Sequence, residues 1–211
     1  ALAATVPIVQ ACRERYPRIQ LQVIEAYSGF LREWLQMGRL DLALLFGDEP
    51  DPDLLKRVLL EEPLALVAPP GAAALPRALR LSHLQGMELV LPGREHGLRR
   101  IIDAACAQQG IALNVVAEID SLTSVKKAVA AGVGHTILSQ SSVMEEVASG
   151  QLQAITINES SMRRRVVCAT RITRPTTLAG AAVIGLATDL IRGMVGSGAW
   201  PGQWIGEIRT R

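Results

Sequence analysis

The chain has 211 residues, more than one core of about 100–150 residues needs and enough for two small lobes. Hydrophobic residues make up 49% and charged residues 20%, a balance that excludes disorder. The net charge of +2 separates 22 basic from 20 acidic residues. Only Arg163-Arg164-Arg165 and Arg99-Arg100 cluster, too little for this chain to bind nucleic acid by itself.

Ala1 to Tyr16 reads as a helix, with Leu2, Val6 and Val9 at helical spacing and Pro17 ending it. Ile19 to Ala26 has strand character, with Ile19, Leu21 and Val23 on one face. Ser28-Gly29 opens a helix that Gly38 stops, with Ser28 its expected N-cap, and the nearly all-apolar Leu40 to Phe46 is a strand covered on both faces. Strand, helix and strand at this spacing predict a right-handed βαβ unit with parallel strands. Two further strands are expected at Leu54 to Leu60 and Leu64 to Ala68, separated by Glu61-Glu62-Pro63.

Beyond Pro69-Pro70-Gly71 a second α/β series begins. Its strands are expected at Met87 to Leu91, Asn114 to Ile119, Gly134 to Leu138, Leu152 to Ile157 and Arg165 to Thr170. Its helices are His96 to Gln109, Leu122 to Ala131 and Ser141 to Ser149, each stopped by a glycine, at 110, 132 and 150. A long helix from Leu178 to Val195 closes the chain and belongs with the first lobe. Ala68 to Gly71 and Ala169 to Thr173 are the expected crossovers. The Gly-rich tail from Gly196 to Arg211 holds Trp200 and Trp204 and is expected to pack back on the protein.

Cys12, Cys106 and Cys168 show no metal spacing and read as small buried hydrophobes in a reducing cytoplasm. No unbroken apolar run approaches the ~20 residues of a membrane span, and no signal-peptide pattern opens the chain. Catalytic signatures such as GxSxG, HExxH, a phosphate loop or a dinucleotide fingerprint are missing, so neither catalysis nor a cofactor or metal is expected.

The run from Tyr16 to Phe46 (YPRIQLQVIEAYSGFLREWLQMGRLDLALLF) resembles the opening lobe of the effector-binding domain of LysR-type transcriptional regulators. The resemblance rests on Tyr16-Pro17, on Glu25 to Ser28, and on Gly38-Arg39-Leu40-Asp41. Glu62-Pro63-Leu64, Ala131-Gly132-Val133-Gly134 and the closing helix extend it in the right order over most of the chain. Arg94 to Arg99, with Asp120-Ser121-Leu122, is similar to the nitrogen assimilation control subgroup.

This resemblance implies an α/β fold of the type 2 periplasmic-binding-protein kind, two Rossmann-like lobes joined by two crossover strands. Lobe I would comprise residues 1–68 and 171–211, and lobe II residues 69–170. It further implies a cytoplasmic regulator that binds a small-molecule effector. DNA would be bound only through an N-terminal winged helix-turn-helix that this chain does not contain. Family effector domains also open with a strand ending in a cleft-lining Ser or Thr, whereas this chain begins in the first helix. Pairing in the family is antiparallel, which would put Ala1 to Tyr16 and Ser141 to Ser149 on a homodimer face, with tetramers at full length. A secreted solute-binding protein shares the architecture and is the competing reading; the 3% aromatic content and unpaired cysteines lean against it.

Open parallel sheets bind ligands beyond the C-terminal strand ends, where helix N-termini offer free N–H groups. Three junctions qualify. Tyr27-Ser28-Gly29 supplies a capping hydroxyl and a backbone a ligand can approach. Glu95-His96-Gly97-Leu98 supplies an imidazole, as ligand donor or as solvated helix start. Ser121 follows Asp120 at a third helix start, and Thr136, beside His135, could point into the same region. Arg99 or Arg100 could clamp a carboxylate or simply face solvent, and Arg163 to Arg165 reads as exposed. The polarity of Ser28, His96 and Ser121 points to a small polar metabolite, with an organic acid as the working expectation.

Overall fold

The computed structural model describes residues 2–72, 76 and 79–206. The chain divides into two compact units: unit 1, Ala1–Glu62 with Arg165–Arg211, and unit 2, Pro63–Arg164. Both changes of unit fall six residues before the expected lobe boundaries after positions 68 and 170.

Unit 1 begins with α1 (Leu2–Arg15) and α2 (Ser28–Gln36), followed by β1 (Ala43–Phe46). Between α1 and α2, residues 19–26 form no strand, contrary to the sequence expectation. Leu21, Val23 and Ile24 stand exposed there. A strand exists through its ladder rather than through propensity alone, and none of the described strands pairs with this segment. The expected parallel βαβ unit is likewise not formed. Instead β1 runs antiparallel to β7 (Arg163–Arg171), from Ala43 opposite Ala169 to Phe46 opposite Val166.

The two strands expected between positions 54 and 68 are one, β2 (Leu54–Ala68). Glu61-Glu62-Pro63 reads as a break, but Pro63 only lacks an N–H, and it sits where the strand passes from one unit to the other. In unit 1, β2 pairs antiparallel with β8 (Gln203–Trp204). The long α6 (Leu178–Gly196) packs on α1 and buries Val183, Leu186, Ala187, Thr188 and Ile191. By length and apolar composition α6 could span a bilayer; its Asp189 and Arg192 pair with each other at 2.9 Å. The tail does pack back as far as it is described: Trp200 is buried and donates its indole N–H to the fully buried Glu62 at 2.7 Å. Residues 207–211 of that tail lie outside the described residues.

Unit 2 is a continuous α/β layer. β3 (Glu88–Leu91) pairs parallel with β4 (Asn114–Glu118), and Leu89 bridges in parallel to His135, just before β5 (Thr136–Ser139). The second half of β2 pairs antiparallel with β5 on one side and with β6 (Gln153–Thr156) on the other. α3 (Gly97–Gln108) follows β3, and α4 (Leu122–Ala130) follows β4. Gly110, Gly132 and Gly150, which end the helices as expected, all adopt positive φ, where a Cβ would be strained. The single helix expected over 141–149 is a 3-10 turn (Gln140–Ser142) followed by the short α5 (Met144–Ala148). The core is aliphatic, built on Leu66, Leu84, Leu89, Leu91, Ile102 and Ile137 among others.

Candidate functional site

In unit 1 the α2 junction is not built as expected. Tyr27 is the N-cap and makes no side-chain cap bond, and Ser28 is already the first helical residue. The Ser28 hydroxyl instead accepts the Phe46 N–H at 3.1 Å, tying the start of α2 to the end of β1. Gly29 is exposed, with no heavy atom within 4 Å of where a Cβ would stand. Tyr27, Phe30 and Trp34 form a ladder of rings, with centroids 6.3 and 6.1 Å apart along α2.

Unit 2 gathers the denser set of polar groups, at the C-terminal ends of its parallel strands. α3 carries the chain from β3 to β4 on one side, and α4 carries it from β4 back past β3 to β5 on the other, the kind of reversal at which open α/β sheets bind ligands. His96 is the N-cap of α3: its Nδ1 accepts the Leu98 N–H at 3.1 Å. That bond places the proton of the neutral ring on Nε2. Burial holds the imidazole pKa below its ordinary 6.5, helped by the charge of Arg164 and opposed by Asp120. Asp120 accepts the Gly93 N–H at 2.9 Å and so fixes the loop between β3 and α3. Ser121 caps α4, accepting the Ser124 N–H at 3.4 Å.

The other candidates separate from these. Glu95 is exposed and Gly97 half-buried beside His96, whereas the Leu98 side chain belongs to the core and contributes only its N–H, to the cap. Thr136 is fully buried, and its Oγ1 has no partner among the described residues. It begins β5, three residues before Ser139 and on the alternate side of the strand, so it does not join the group. Arg99 is no solvated residue. It donates to Asp103 at 2.9 Å, to the Pro92 carbonyl at 3.0 Å and to Glu118 at 2.8 Å, clamping α3 to β4.

Arg164 is the residue that sequence reasoning missed. Arg163 and Arg165 are exposed as expected, but Arg164 is buried and donates from Nη2 to Ser139 Oγ at 2.7 Å. Period-two alternation was the available signal, since in β7 it puts Arg164 on the face of Val166 and Cys168. The Ser139 oxygen lies 3.0 Å from the Ser141 hydroxyl and 2.7 Å from that of Ser142. Lys126 on α4 donates to the Ser142 carbonyl at 3.2 Å and pairs with Glu146 on α5. An open groove of about 670 Å³ lies elsewhere in unit 2, along α3 and β4, and is lined by Arg99, Asp103, Cys106 and Glu118 rather than by these candidates. The three cysteines are buried and free, and burial pushes the Cys168 thiol up to about 11. Among the described residues no His, Cys, Asp and Glu side chains cluster as a metal site.

Residues 1–192 match the model of the LysR substrate binding domain. The chain belongs to that family. This LysR domain is 34% identical over 198 residues to the HTH-type transcriptional regulator BbuR of Bordetella bronchiseptica, covering 92% of this chain and 58% of that protein. It is 30% identical over 142 residues to the nitrogen assimilation regulatory protein nac of Klebsiella aerogenes, covering 67% and 46%. The chain thus spans about half the length of these relatives.

Its fold matches an OxyR variant from Corynebacterium glutamicum with a TM-score of 0.80 at 22% identity, over 94% of this chain and 63% of that one. The effector binding domain of QuiR in complex with shikimate gives 0.79 at 20% identity, over 90% and 91%. The regulatory domain of CcmR from Synechocystis in complex with 2-PG gives 0.76 at 20%, over 90% and 91%. The LysR domain therefore has the α/β, periplasmic-binding-protein-like architecture that the ordered motifs implied.

Proposed function

We propose that this chain is the ligand-sensing and oligomerisation part of a bacterial LysR-type transcriptional regulator, acting in the cytoplasm without catalysis of its own. DNA would be bound by a part of the regulator outside this chain. The observation that carries the reading is the convergence of His96, Ser121, Ser139 and Arg164 at the carboxyl ends of the parallel strands of unit 2, in a chain of this family. These groups suit a small polar metabolite, and relatives of the same fold were solved with small polar molecules. The regulators among the relatives favour this reading over a transport solute-binding protein.

In a regulator the ligand acts by population shift, moving an equilibrium by no more than its differential affinity for two states. Homodimer formation through α1 and the 141–149 segment fits the exposed Val6 of α1 and the exposed Met144 and Val147 of α5. A thermal-shift screen of metabolites tests the sensing role. A hit should lose affinity in the His96→Ala, Ser121→Ala double variant, and unchanged binding would overturn the placement of the site. Sedimentation should show a dimer; a monomer at high concentration would sink the dimer proposal.

A further inference from the structure

Arg164 is only 8% exposed, and taking a guanidinium out of water costs several kcal/mol unless its surroundings compensate. Its Nη2 donates to Ser139, and a serine oxygen has one proton to give. Ser139 therefore donates a hydrogen bond to one of Ser141 and Ser142 and accepts one from the other, so the positive charge polarises the hydroxyl cluster. In the same neighbourhood the His96 cap puts an N–H on Nε2, and α4 presents its N-terminal amides behind Ser121. Asp120 is the carboxylate among these groups, and its Oδ1 is engaged by the Gly93 N–H. Arg164, His96 and Asp120 all have further polar or electrostatic contacts, so a ligand would join an existing network.

Unit 2 contains no Phe, Tyr or Trp, and so offers a flat apolar ring nothing to stack on. A cation would be repelled by Arg164, and a neutral polyol would draw no Coulombic benefit from it. We propose that this face binds the carboxylate group of the ligand, with Arg164 as the residue that reads its charge and His96 as a neutral donor beside it. The proposal rests on the reading of the chain as a ligand-sensing domain and names the chemical class that domain takes. The guanidinium fork can hold a carboxylate through two parallel N–H···O bonds, and the phosphate arm of the test separates this from a tetrahedral anion.

The experiment follows the His96 imidazole by NMR while acetate, acetamide or inorganic phosphate is added. His83 and His135 are the other histidines, so a His96→Asn variant settles the assignment. Acetate should shift His96 saturably in the millimolar range, the affinity open to so small an ion. Acetamide should not shift it. Arg164→Gln, checked for fold by circular dichroism, should weaken the acetate response at least about tenfold. Arg163→Gln, on the exposed neighbour, should leave it as it was. Should Arg164→Gln not fold, Arg164→Lys decides: it keeps the charge, loses the fork, and should weaken acetate severalfold.

An equal response to acetamide, a response indifferent to both Arg164 variants, or none to acetate overturns the proposal. Phosphate saturating at lower concentration than acetate overturns the carboxylate assignment. The two readings fail differently. A metabolite screen with no hit of any class removes the sensing role itself, whereas a neutral or cationic hit that ignores Arg164 removes only this inference.

Discussion

Unit 1 holds the three tryptophans, two tyrosines and two phenylalanines of the chain, and unit 2 holds none. The difference follows how each is assembled. Unit 2 is one continuous stretch whose helices and strands alternate, so Leu, Ile and Val brought together by short crossovers fill its core. Unit 1 joins two segments from either end of the chain and must be closed by contacts between residues far apart in sequence. Large rings bury the most surface per residue fixed, and Trp200 also brings an N–H to the buried Glu62. The side-chain chemistry at the helix starts divides the same way: rings along α2 in unit 1, hydrogen-bond donors and charge in unit 2.

Trp200→Ala should have the largest effect. Loss of the ring and of the donor to Glu62 should destabilise the protein by about 3–5 kcal/mol in urea unfolding. Trp34 and Trp204 remain as fluorescent reporters of unit 1, and hydrogen exchange in unit 2 should change less than in unit 1. Arg99→Met attacks the other side. It removes three hydrogen bonds that hold α3 to β4 in unit 2, and because Asp103 and Glu118 are half-exposed the loss should be about 2 kcal/mol. Tryptophan fluorescence should barely register it.

At the helix starts the expected effects are smaller. Ser28→Ala should cost about 1 kcal/mol, because the Phe46 N–H loses its acceptor, and Ser121→Ala about half that at an exposed cap with a longer bond. Thermal melts of the two variants give the order, and a reversed order would mean that the Ser28 tie to β1 is not what holds α2. The smallest effect is a pH dependence. The His96 pKa is lowered in the folded state by burial first and by Arg164 next, so between that value and 6.5 the unfolded chain binds more protons. Its contribution to stability is complete above about pH 6.5 and falls away as pH drops below that. His96→Asn keeps a capping side chain and should flatten this part of the stability–pH curve.

The sequence made unit 2 more legible than unit 1 for the same reason. Every glycine stop expected in unit 2 is a positive-φ residue, and His96 and Ser121 cap the helices they were read to open, because these signals act within four residues. In unit 1 the decisive pairings are long-range. Nothing local in Ala43–Phe46 announces an antiparallel partner at Val166–Ala169, and nothing local in Ile19–Ala26 announces that no described strand lies beside it. Ser28 has the sequence signature of an N-cap, but its acceptor role depends on Phe46, brought close by the fold. Arg164 is hard to single out in the sequence because a run of three arginines looks like a charge cluster until it lies on alternating sides of a strand.

The Leu64 N–H donates to the Met162 carbonyl at 2.9 Å, so the chain enters and leaves unit 2 at neighbouring points. In modular terms unit 2 is an insertion with coincident ends, spliced into a host that resumes at Arg165. An insertion of that kind can be lifted out, with a short linker from Glu62 to Arg165 restoring the host, or can be closed on itself through Pro63 and Arg164 as a circular mini-domain.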